Sequence, residues 1–124
     1  MSMPNDPAPP PVDIRFTPEF KRNLRALAKR YPRIRADIEP VISQLQKGDF
    51  PGDQIAGTGY TLYKVRIRNS DARRGKSGGY RMIYFIQTPT SVVLITLYSK
   101  SDQSDISAKE VKRIIREFAD SLPE

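Results

Sequence analysis

The spacing of apolar residues changes twice along this chain, from a helical period before residue 60 to a strand period after it and back to a helical period beyond residue 107, and those changes set which elements can form and in what order. Phe20, Leu24, Leu27, Ala28 and Tyr31 recur at intervals of three and four, with Lys21, Arg22, Arg25 and Lys29 on the other side. This is one buried face of an amphipathic helix. Thr17-Pro18-Glu19 supplies its N-cap, a proline at the first helical position and an acid in the first turn, and Pro32 ends it. Ile34, Ile38, Val41, Ile42 and Leu45 repeat the pattern up to Gly48; Pro40 inside this second helix is expected to kink or divide it. Residues 49–59, rich in Gly, Pro and Asp, are expected to be a loop.

Beyond it the alternation becomes twofold. Tyr63, Val65 and Ile67 interleave with Leu62, Lys64, Arg66 and Arg68, which predicts a strand with one apolar and one largely basic face. Further strands are expected over 80–87 and 92–98, the last apolar enough for a central position covered on both sides. Short links favour antiparallel pairing. Ser107-Ala108-Lys109-Glu110 reads as a capping box, followed by a helix whose stripe is Val111, Ile114, Ile115, Phe118 and Leu122. With an extended segment over 13–16, the expectation is an α+β domain. An N-terminal strand and a helical hairpin pack on a three- to four-stranded, mainly antiparallel sheet, with a C-terminal helix added. The helices should cover one sheet face and leave Lys64, Arg66 and Arg81 on the other.

A length of 124 residues suits one domain. The prolines at 4, 7, 9, 10 and 11 fix φ and remove backbone donors, so residues 1–12 read as a flexible tail and 13–124 as the domain. The start lacks the basic end and apolar centre of a signal peptide, and no apolar run approaches the roughly 20 residues that span a bilayer. A cytoplasmic protein without a membrane role is expected. The chain has neither cysteine nor histidine. That removes disulfides, thiolate chemistry, the commonest zinc ligands and the usual neutral-pH proton carrier; no metal or small-molecule cofactor is expected.

The net charge is +7, and its position matters more than its size. Between Tyr60 and Lys100 stand Lys64, Arg66, Arg68, Arg73, Arg74, Lys76, Arg81 and Lys100, opposed by Asp71 alone. The other basic and acidic residues, 13 of each, cancel. A field concentrated in one third of the chain points to a polyanionic partner. Arg68, Arg73, Arg74, Lys76 and Lys100 are the expected phosphate or ribosomal RNA contacts. Tyr60, Tyr80 and Tyr84 offer rings for base stacking, with core packing the better reading for Tyr84.

Three segments, GTGYTLYKVRIR at 57–68, RRGKSGGYRMIYF at 73–85 and LITLYSKSDQSDIS at 94–107, resemble the RelE/ParE toxin superfamily in order and spacing, and its RelE/HigB-like members most closely. The resemblance implies the toxin of a type II toxin–antitoxin system, an mRNA endonuclease acting on the 70S ribosome, and a cognate antitoxin as partner. It implies attack by a ribose 2′-hydroxyl on the adjacent phosphate, leaving a 2′,3′-cyclic phosphate and a 5′-hydroxyl. Carried over by position, Lys64 and Arg66 match the basic pair of the first long strand, and Arg81 matches the arginine after Gly-Tyr. The chain departs from the pattern at Ser101 and Ser107, where such toxins often carry Arg and Tyr. Tyr98 and Lys100 are the substitutes at hand.

With no histidine the proton transfers need other carriers. Like charges nearby favour the neutral form of a lysine, so Lys64, beside Arg66 and Arg81, is the expected base. The two arginines clamp the phosphate, and Tyr98, or in second place Lys76, is the acid. Two other functions compete: a ParE-like inhibitor of DNA gyrase, and an RNA- or ribosome-binding protein that does not cleave.

Overall fold

A computed structural model describes residues 11–72 and 78–121. The order of elements is β1 (Asp13–Phe16), α1 (Pro18–Arg30), α2 (Ile34–Gln46), β2 (Asp53–Ile55), β3 (Leu62–Ile67), β4 (Tyr80–Thr88), β5 (Ser91–Ser99) and α3 (Ala108–Ser121). The strands form one five-stranded sheet in the order β1-β5-β4-β3-β2. β1 runs parallel to β5, and the other pairs are antiparallel. The α+β class, the helical hairpin and the C-terminal helix are as the sequence implies. The sheet is wider by β2, which falls inside the expected loop and pairs Asp53, Gln54 and Ile55 with Lys64, Tyr63 and Leu62. Three residues carry no readable period, so only the pairing reveals this strand. α2 runs unbroken across Pro40.

Each sheet face has its own core. Phe20 and Leu27 of α1, with Ile34, Ile38, Val41 and Leu45 of α2, pack on Val65, Ile67, Tyr80, Met82, Tyr84, Val92, Leu94 and Leu97. On the opposite face Val111, Ile114, Ile115 and Phe118 of α3 pack on Leu62, Ile83, Val93 and Ile95. This corrects the expectation that all helices share one face. The α3 stripe was legible, but a stripe does not say which side of a sheet it covers. β5, buried along nearly its whole length, carries both cores, as a central strand must. No helix among the described residues is long and apolar enough to cross a membrane.

Close backbone approaches fix the flanks of β3. A Cβ on Gly79 would lie 2.1 Å from the Ile67 carbonyl oxygen, and one on Gly52 would lie 2.4 Å from that of Lys64. Only glycine lets these loops lie flush against the strand. Where β3 leaves the sheet, the Asp37 carboxylate of α2 accepts from both the amide and the hydroxyl of Ser70, each at 3.0 Å. Asp71 accepts from the Arg33 amide at 2.8 Å. The near end of the basic connection is thus tied to the start of α2.

Thr17 joins the first helix to the sheet. Its buried hydroxyl accepts from the Phe20 amide at 3.0 Å and donates to the Ile95 carbonyl at 2.6 Å. Thr17→Val keeps the shape but removes the cap and strands a buried acceptor. These terms add to a loss of about 2 kcal/mol. A lower urea midpoint with an unchanged denaturant slope is the expected result.

Candidate active site

Strand register gathers the basic residues of β3 and β4. Arg66 stands directly opposite Arg81, and Arg81 directly opposite Tyr98. The result is a row across three neighbouring strands. Lys64, two residues before Arg66, lies on the same face, since side chains two apart on a strand point the same way. This is the α3 face, because Ile83, opposite Lys64, belongs to the core under that helix.

The members of the row differ in exposure. Arg81 is 6% exposed and Tyr98 5%, whereas Arg66 and Arg68 are open to solvent. Arg81 donates through Nη1 to the Tyr80 carbonyl at 3.1 Å. Among the described residues no carboxylate pairs with Arg66 or Arg68. Arg68 lies one residue beyond β3, next to a groove of about 430 Å³ between α2 and the part of the β3 edge that β2 leaves uncovered. Lys100 turns back on its own loop, its ammonium donating to the Ser104 carbonyl at 2.8 Å. Arg73, Arg74 and Lys76 lie outside the described residues.

The structure adds an acid that the sequence reading missed. Asp105, in the link between β5 and α3, accepts through Oδ1 from Lys64 Nζ at 3.0 Å, from the Tyr98 hydroxyl at 3.4 Å and from the Ile106 amide at 2.8 Å. The bond from Lys64, then that from Ile106, hold its carboxyl below the usual aspartate range. Burial first, and then the Asp105 carboxylate, push the Tyr98 phenol up to about 12, with Arg81 pulling the other way. Asp105 falls within the segment TLYSKSDQSD, just beyond the basic stretch that ends at Lys100. Of the departures from the RelE-like pattern, Ser107 caps α3 by accepting from the Glu110 amide at 3.1 Å. The Ser101 hydroxyl bonds that of Ser99 at 2.8 Å. Base stacking by Tyr80 or Tyr84 is overturned, because both are fully buried and Tyr84 donates to the Pro51 carbonyl. Tyr60 stays exposed, edge-on to Phe85.

Such a face can hold an anion by fixed charge, present a protonated phenol and offer one ionised carboxylate, all within a few side chains. A family model for the RelE toxin of the RelE/RelB toxin–antitoxin system matches residues 19–123, from the first turn of α1 through α3.

Tyr98 should titrate near 12, followed through its ring Cζ resonance. Asp105→Asn removes one of the two raising influences. The midpoint then falls but stays above the ordinary tyrosine value of about 10, since burial persists.

Proposed function

Because the chain belongs to the RelE toxin family and is therefore the toxin of a toxin–antitoxin system, we propose that it is a ribosome-dependent mRNA endonuclease. The observation that supports this most is the Arg66–Arg81–Tyr98 row with Lys64 beside it. Cleavage through a neighbouring 2′-hydroxyl builds negative charge on a crowded phosphorane. Fixed cations aimed at that charge lower the barrier without moving a proton. Arg66 is open to a phosphate, Arg81 lies behind it already ordered, and Lys64 adds a third cation at the border of the row. Tyr98 remains protonated at neutral pH and supplies the proton for the departing 5′-oxygen.

The cations also account for binding. Arg66, Arg68 and Lys64 present charge to a sugar–phosphate backbone without reading its bases, and Arg73, Arg74 and Lys76 extend the same charge in the sequence. The chain has no histidine to carry protons near neutrality, so the site depends on a substrate already bent into line for attack, and the decoding site of a 70S ribosome supplies one. A cognate antitoxin is the partner that the family implies. The cytoplasm, where ribosomes and mRNA meet, is the proposed location.

Primer extension on a defined mRNA tests this, with purified protein added to programmed ribosomes and, separately, to naked RNA. Discrete cuts near the A-site codon are expected with ribosomes only. Arg66→Ala, at an exposed position, should slow cutting by about 10²–10³. Equal cutting of naked RNA would remove the ribosome from the mechanism. Growth arrest without cuts in either sample would favour gyrase inhibition or binding without cleavage, and trapped gyrase–DNA complexes distinguish those two.

A further inference from the structure

We infer that Asp105, and not Lys64, accepts the proton of the attacking 2′-hydroxyl. The inference rests on the endonuclease reading and assigns its base.

Lys64 is badly placed for that task. Its Nζ donates to Asp105 at 3.0 Å, so the nitrogen is committed as a donor to that carboxylate. Asp105 has the opposite properties. All three hydrogen bonds to its carboxylate fall on Oδ1, and its side chain is 63% exposed, which leaves Oδ2 to receive a hydroxyl from solvent or substrate. The Ile106 amide holds the carboxylate in place without substrate.

Among the described residues the titratable and charged groups around it are Lys64 from β3 and Tyr98 from β5, with Arg81 of β4 and then Arg66 behind the phenol. In its own loop Lys100 is turned to Ser104. On α3 the first acid, Glu110, is engaged by Arg113. Among the described residues Asp105 is thus the one carboxylate that bonds both Lys64 and Tyr98, and it stays ionised throughout the neutral range.

The step balances as follows. The 2′-O–H bond breaks and its proton passes to Asp105 Oδ2. The 2′-oxygen bonds phosphorus, and the P–O5′ bond breaks. Tyr98 gives its hydroxyl proton to the 5′-oxygen, which is more basic than a phenolate. The products are a 2′,3′-cyclic phosphate and a 5′-hydroxyl. Asp105 then releases its proton from the exposed Oδ2 to solvent, the Tyr98 phenolate takes one up from solvent, and both groups are reset. At 3.4 Å the contact between Tyr98 and Asp105 is weak, so the phenol is readily redirected to substrate. Lys64 takes no part in the proton transfers and serves the phosphate.

The test is single-turnover cutting on programmed ribosomes. With Asp105→Asn the rate should fall at least about 100-fold. For the unaltered protein the rate should be flat from about pH 5.5 to 8.5, since a carboxylate held low is fully ionised across that range. A message with sulfur in place of the 5′-bridging oxygen needs no acid, so it should restore Tyr98→Phe and leave Asp105→Asn slow. A purely structural role for Asp105 would not divide the two variants in this way. A rate rising tenfold per pH unit, or Asp105→Asn cutting within about threefold of the unaltered protein, overturns the assignment and leaves the endonuclease reading intact. Failure of the unaltered protein to cut on ribosomes overturns both.

Discussion

Arg66 and Arg81 face each other on adjacent strands, and the rest of the structure must hold them there. Like charges directly opposed across a ladder are destabilising, and one of these two is almost fully buried, which adds desolvation. Nothing in the pairing of the two arginines favours this register over one shifted by a residue. The opposite face sets it. In the same ladder Val65 opposes Met82 and Ile67 opposes Tyr80, and all four lie in the core under α1 and α2. A slip of one residue would turn that apolar set to the other face. The helical hairpin therefore fixes a register that the cations alone would reject. Gly79, packed flush against the Ile67 carbonyl, closes the same ladder at its end.

This division explains what could be read from the chain. Elements with a sustained period (α1, α2, β3 and α3) were legible, and so was the pairing of Lys64 with Arg66 on one face, because both rest on local spacing. Arg81 was expected on that face too, but which residue it opposes needed the register of β4 against β3, which twelve intervening residues leave open; the structure pairs it with Arg66. β2 had too few residues to show a period. The face taken by α3 is a property of the sheet and not of the helix. Asp105 lies 41 residues from Lys64, and nothing local in the sequence ties the two together. Thr17 shows the reverse case: its capping role was visible in Thr-Pro-Glu, but its bond to Ile95, 78 residues away, was not.

The lack of histidine shapes the proposed chemistry. A group that ionises near neutrality serves well as acid or base because it is available in the needed form and still reactive. Here the phenol is pushed up to about 12 and the carboxyl is held below its usual range. The same contact contributes to both shifts: the Tyr98–Asp105 hydrogen bond makes the acid more reluctant to give a proton and the base more reluctant to take one. Each group is in the required state at pH 7 but has little driving force. The cationic row stabilises charge in the transition state but does not bring a 2′-hydroxyl into line with its phosphate. On the proposed reading that alignment is left to the ribosome, since holding reactants in line supplies as much as about 7–11 kcal/mol. A site with weak proton carriers and strong fixed charge would then bind RNA readily, and would cut it where another machine has already shaped the message.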